Sequence, residues 1–250
     1  MFADLKNLIE LDLSNFKTEN VVDIEGMFYG CENLQKVNLS SFDTKNVEQM
    51  NWLFYDCKSL TSIDITNFNT SKVYRAGNLF NGCGSLTSID VSHMDTSNMV
   101  SMGGMFDRCV NLLSIDVSNF NTSKAEDISS MFSDCIKLEY INLSNFDTRN
   151  VDSIFLMFYN CKSLKSIDIS SFNTEKVIFM NQIFEGCINL EFLNITHFVF
   201  NPDALEYGYY FNMFQDCAKL HLIITGDFYM SIFDQNDYLT VIKENVTIIW

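Results

Sequence analysis

Cysteines fall at positions 31, 57, 83, 109, 135, 161 and 187, each 26 residues after the last, and an eighth follows at 217 after a gap of 30. A fixed period of this length means that one small unit is laid down again and again, which outweighs any residue-by-residue reading of helix and strand. The unit beginning at Cys57, CKSLTSIDITNFNTSKVYRAGNLFNG, and the one beginning at Cys161, CKSLKSIDISSFNTEKVIFMNQIFEG, share the frame C-x-x-L-x-x-I-D-I-[ST]-x-F-[DN]-T-x-x-V-x-x-x-x-x-[LMI]-F. Every other observation has to be placed on that frame.

Within the unit, Leu60, Ile63 and Ile65 end in the two-residue alternation of a short strand. Val47, Met50, Leu53 and Phe54 follow at the spacing of one face of a short helix or tight helical turn. Neither piece buries its apolar side alone, because so short a strand and so short a helix are each marginal in water. Stacking resolves this, and the expected fold is an α/β repeat, a solenoid of about nine coils with a parallel sheet on one face and short helices on the other. Its strands are expected near Leu11, Val37, Ile63, Ile89, Ile115, Ile141, Ile167, Leu193 and Leu222.

The apolar positions then become internal ladders. Phe16, Phe42, Phe68, Phe120, Phe146 and Phe172 form one, with Met94 substituting once, and Phe28, Phe54, Phe80, Phe106, Phe132, Phe158, Phe184 and Phe214 form another. Thr18, Thr44, Thr70, Thr96, Thr122, Thr148 and Thr174 recur three residues before the first helical apolar position, where a hydroxyl can cap the free amides of a helix start. The Asp or Asn before each threonine suits the turn that leads into the helix.

Composition narrows the function. Apolar residues make up 47% of the chain, ample for a core, and one proline, Pro202, with ten thinly spread glycines leaves no linker to divide it. The net charge of -16 repels phosphate backbones, so nucleic acid is not an expected partner. No apolar run is long enough to span a membrane, and the start MFADLKNLIELDL lacks the basic region and long apolar core of an export signal.

Chemistry-bearing constellations are missing from the pattern. The cysteines stand one to a coil, without the close pairing of a zinc site, and are expected to be buried, reduced and packed as small hydrophobes. His93 and His197 occupy the same repeat position four coils apart, roughly 20 Å at sheet spacing, and cannot share an ion. No nucleophile elbow, zinc-protease helix, phosphate loop or dinucleotide glycine motif occurs, so neither catalysis nor a cofactor is expected.

The surface with most to offer is the exposed side of the sheet. Reading outward-pointing columns through the strands gives a carpet of small hydroxyls and acids in the middle: Ser62 and Asp64, Ser88 and Asp90, Ser114 and Asp116, with Asp168 further along. Tyr140 and Phe192 are large groups of the kind that anchor a partner. Asp64, Asp90 and Asp116 come from consecutive coils, so they should lie about 5 Å apart at a repulsive cost of roughly 0.8 kcal/mol per pair in water. Hydrogen bonds to Ser62, Ser88, Ser114 and their neighbours are the plain expectation, and weak capture of a hard cation such as calcium the sharper one.

The strand signature with its following phenylalanine, as in Met27-Phe28, Cys31, Leu34, Val37-Asn38-Leu39-Ser40, Phe42, Thr44 and Val47, resembles the BspA-like leucine-rich-repeat surface proteins, whose repeats are shared with mycoplasma-type lipoproteins. The resemblance covers essentially residues 1–225. It implies a gently curved leucine-rich-repeat solenoid at the cell surface or outside the cell, a non-catalytic adhesion or interaction module whose partner is a protein or glycan on a host or neighbouring cell. A structural spacer within a longer surface protein is the first alternative, and an accessory domain of an enzyme the second. The frame departs in places: Leu5 replaces the first cysteine and no cap precedes the first coil, so an upstream piece is expected. Residues 226–250 leave the frame, end in a strand-like VTIIW, and are expected to cap the same domain.

Overall fold

A computed structural model describes residues 1–201, 206–225 and 240–244. All backbone strand pairing among these residues is parallel. Strands β1 (Glu10–Asp12) and β2 (Lys36–Asn38) pair with Leu11 opposite Val37. Strands β3 (Ser114–Ile115) and β4 (Tyr140–Ile141) pair with Ile115 opposite Ile141. A three-stranded sheet runs β5 (Phe192–Asn194), β6 (His221–Thr225) and β7 (Thr240–Glu244), with Leu193 opposite Leu222 and Leu222 opposite Val241.

Paired strands therefore stand where the repeat placed them at six of nine positions; none forms at Ile63 or Ile89, and beside Ile167 there is a single parallel bridge, Ser166 to Phe192. Those three runs read Ser-Ile-Asp, with two residues of low strand propensity around one isoleucine, whereas Lys36-Val37-Asn38, Tyr140-Ile141 and Phe192-Leu193-Asn194 bring larger groups that pack across strands. Ser114-Ile115 has the poorer composition and still pairs, against Tyr140-Ile141. In the expected capping segment, β7 docks on β6; VTIIW and the rest of 226–250 lie outside the described residues.

The face expected to carry helices is built of linked turns instead. From Val47 to Cys57 the amides alternate. Those of Leu53, Tyr55 and Cys57 bond three residues back inside their own coil, at 3.3, 3.1 and 3.1 Å. Those of Met50, Trp52, Phe54 and Asp56 donate to Arg75, Gly77, Leu79 and Asn81 of the next coil, at 3.0, 3.0, 2.9 and 2.7 Å. From Met50 onward these bonds alternate without a helix, seven amides of the run being held this way. Two residues per coil adopt left-handed backbone, here Trp52 and Asp56, both at φ 54°, and no helix of L-residues continues through such a position. The apolar spacing of Val47, Met50, Leu53 and Phe54 fits successive three-residue turns as well as it fits a helix, which is why the sequence pattern misleads.

This turn face is the continuous one. Single-residue parallel pairing runs without a break through Asp23, Gln49, Arg75, Ser101, Asp127, Ser153 and Phe179. At the second left-handed position, Gly82 has φ 76°, and a Cβ there would sit 2.2 Å from Asp56 Oδ1, so the acid of one coil is laid over the glycine of the next.

Between the two faces lie the ladders. Phe28, Phe54, Phe80, Phe106, Phe132, Phe158, Phe184 and Phe214 stack near-parallel with centroids 5.3 to 6.0 Å apart, and each is buried. Such contacts add about 0.5–1.5 kcal/mol per pair beyond area burial. The other phenylalanine ladder holds from Phe42 onward, with Met94 buried in its place; Phe16 is the exception, 37% exposed, with Phe2 tilted against it at 6.2 Å. All eight cysteines are free and buried, and each thiol from Cys57 to Cys187 donates to a phenylalanine carbonyl of the previous coil at 3.1 to 3.3 Å.

The threonines do not cap helices. Each is buried and its hydroxyl clamps the backbone of the following coil: Thr122 Oγ1 donates to Asp147 C=O at 3.0 Å and accepts from Asp147 N–H at 2.7 Å. Thr44, Thr96, Thr148 and Thr174 repeat the arrangement. One side chain thus satisfies a donor and an acceptor that stacking would otherwise bury unpaired.

Candidate functional site

The strand face presents the columns that the repeat predicts. Ser62, Ser88 and Ser114 are exposed, as are Asp64, Asp90, Asp116 and Asp168. The acids, however, do not bond to the serines beside them in the strand. Each turns forward onto the residue two further on: Asp64 Oδ1 accepts from Thr66 N–H at 3.0 Å and its hydroxyl at 2.7 Å, and Asp90 Oδ1 from Ser92 at 2.9 and 2.6 Å. Asp116 and Asp168 take the amides of Ser118 and Ser170 at 3.0 and 2.9 Å. The Asn residues of the same column, Asn38, Asn142 and Asn194, accept from the residue two further on in the same way. The column is a ladder of Asx turns, and this is the local reason for an Asp or Asn there.

The hydroxyls of Thr66, Ser92, Ser118 and Ser170, followed by their amides, hold these four carboxyls below the usual carboxylate range. Repulsion from Asp90 acts on Asp64 in the opposite sense and is the smallest contribution there. The four stay ionised and none joins an ion pair among the described residues. The cation site imagined along this column is not assembled: among the described residues no three of His, Cys, Asp and Glu converge to hold a metal ion. His197 instead bonds Ile169 C=O at 2.9 Å, and His93 keeps both ring nitrogens buried without a partner.

Large side chains do project from the face. Tyr140 is 62% exposed and Phe192 56% exposed. The sequence reading missed two companions. Leu113, 52% exposed, stands at a repeat position held elsewhere by Thr61, Thr87, Glu139 and Lys165, and that break in the column was the available signal. His221 stacks on Phe192 with centroids 5.1 Å apart, a contact hidden by the 30-residue spacing of the last coil.

A polar cluster occupies the left-handed corner on the other side. Arg108 spans two coils to Asp56 at 3.2 Å, bonds Asn81 Oδ1 at 3.0 and 2.6 Å, and lies over the Tyr55 ring at 5.4 Å. Burial pushes the neighbouring Asp107 carboxyl up, while Asn81 donates to it at 2.9 Å. These groups bond one another across coils and act as a brace.

Stacked coils in 26-residue register, parallel backbone rows and a leucine- and phenylalanine-filled interior define a repeat protein of the leucine-rich kind. More specifically, the chain belongs to the family described as "Mycoplasma protein of unknown function, DUF285", which matches it over residues 1–111, 80–198 and 140–228. No curated protein matches it. Among solved structures it is similar to the pneumococcal vaccine antigen PcpA, at 16% identity and TM-score 0.38 over 96% of this chain and 69% of that one. A Leptospira interrogans LRR protein matches at 14% identity and TM-score 0.37 over 89% and 63% of the two chains. TLR13 of the TLR13–ssRNA13 complex matches at 15% and 0.33 over 97% and 41%. Among the described residues no helix is long and apolar enough to cross a membrane.

Proposed function

We propose that the chain is a non-catalytic interaction module of a cell-surface protein, of the BspA-like adhesive kind, whose strand face engages a protein or glycan on a host or neighbouring cell. The observation that carries this reading is the contrast between the two faces. Alternate turn-face amides hold coil to coil, whereas the strand face exposes Leu113, Tyr140 and Phe192 beside ionised acids that join no ion pair among the described residues. Monomeric proteins anchor partners through large aromatic groups of this sort, surrounded by polar ones.

The test is attachment of the purified chain to cells, read by flow cytometry. Ser114→Arg, which fills the strand face with a long cation, should abolish attachment, while Lys124→Glu, away from that face, should leave it intact. Equal attachment by both variants, or none by the parent protein, would remove the reading.

A further inference from the structure

Strand pairing places Ser166 opposite Phe192, and Phe192 opposite His221. The His221 ring covers one side of Phe192 at 5.1 Å with planes 22° apart, which fixes the phenyl and leaves its other side facing the Ser166 coil. Tyr140 stands at the same repeat position one coil further back, 26 residues before Ser166. Two exposed rings therefore flank the small Ser166 side chain, about 10 Å apart at two strand spacings, so that a group entering midway lies within about 6 Å of both. Two residues along the strand from Ser166, Asp168 is exposed, ionised and free of any ion pair among the described residues.

Two nearby lysines are already engaged, and His197, whose charge would act on Asp168, bonds Ile169 C=O at 2.9 Å. Lys165 pairs with Glu139 at 3.4 Å, and Lys219 donates to Asn189 at 2.7 Å. Asp116 adds a further unpaired carboxylate two coils from Asp168, on a chain whose net charge is -16. Aromatic walls around an acidic floor suit a cation better than a neutral or anionic group, because ring faces and carboxylate attract the same charge. A guanidinium gains most, being planar, weakly hydrated and able to stack and bond a carboxylate together.

Building on the strand-face reading, we propose that the slot between Tyr140 and Phe192, floored by Ser166 and Asp168, receives an arginine side chain from an extended, basic segment of a partner protein. The partner lies along the strand face with further basic residues over Asp116 and Asp90. Aromatic stacking fixes its register and the unpaired acids steer it in.

The probe is a synthetic peptide of alternating serine and arginine, titrated calorimetrically into the whole chain, with a citrulline-for-arginine peptide as control. The arginine peptide should bind and the citrulline peptide should not. Tyr140→Ala and Phe192→Ala should each weaken binding by about tenfold while leaving every charge in place, and Phe211→Ala, an exposed ring of another repeat position, should change nothing. Undiminished binding by the Tyr140→Ala, Phe192→Ala double variant would reduce the effect to bulk electrostatic attraction and overturn the slot. Binding of neutral oligosaccharides in place of the peptide would overturn it in favour of a glycan, leaving the strand-face reading standing. Loss of peptide binding with cell attachment retained would separate the two conclusions in the same way.

Discussion

The turn face and the strand face of each coil are built from the same 26 residues, yet one is continuous and the other interrupted. On the turn face, alternate amides cross to the next coil from Met50 through Asp56 and again from Ala76 through Gly82. On the strand face, strands fail to form at Ile63 and Ile89, and each acid turns one carboxylate oxygen to its own turn rather than to the next coil. Cohesion is concentrated on one side of the stack, which leaves the other side free to vary its exposed residues without loosening the coils.

The largest effect should come from the ladder that both faces share. Phe106→Ala removes a fully buried ring from between Phe80 and Phe132, and should cost about 3–5 kcal/mol in denaturant unfolding, because the stacked neighbours cannot close the gap. A loss below about 1 kcal/mol would place the ring outside the core. Next comes the threonine clamp. Thr122→Val keeps the shape and deletes the hydroxyl, leaving Asp147 N–H and C=O without their partner, and should cost about 1–3 kcal/mol. A helix-capping threonine would have strained its own coil; this one should loosen the contact with the following coil, seen as faster amide exchange near Asp147.

The strand-face acids should matter least at neutral pH and reveal themselves on acidification. Their folded pKa values lie below the unfolded ones, so their contribution is present above the ordinary carboxylate range and is lost as pH falls through the folded values. A triple Asp64→Asn, Asp90→Asn, Asp116→Asn variant keeps the turns, as Asn38 and Asn142 do, and should lose less stability in acid than the parent. Asp107 has the opposite sign: burial raises its pKa, so its contribution fades as pH rises, and Asp107→Asn should raise the denaturation midpoint at neutral pH and lose that advantage in acid. Identical acid profiles for parent and triple variant would show that the Asx turns do not favour the ionised acid.

The repeat length, the parallel stacking, the buried reduced cysteines and the long phenylalanine ladder were all legible in the sequence, because each follows from a period that places equivalent side chains in register. The turn conformation was not. Left-handed backbone falls on Trp52, Arg108 and Leu156 as well as on glycine and asparagine, so residue type does not announce it, and the apolar spacing of the run suits a helix equally well. The threonines were misassigned for the same reason: once a helix is assumed, a buried hydroxyl at its start reads as a cap. In the candidate site, exposure of Tyr140 and Phe192 followed from strand alternation, whereas the backing of Phe192 by His221 depends on how the longer last coil folds back.

Hydrogen exchange on the native chain compares the two faces in one experiment. The amides of Phe80 and Gly82, held by Met105 C=O and Asp107 C=O at 2.9 and 2.8 Å, should exchange only with global unfolding. The amides of Ser88, Ile89 and Asp90, in a strand run that forms no pairing, should exchange through local opening and markedly faster. Equal protection of both sets, or greater protection of Ser88 to Asp90, would contradict a stack held together along its turn face.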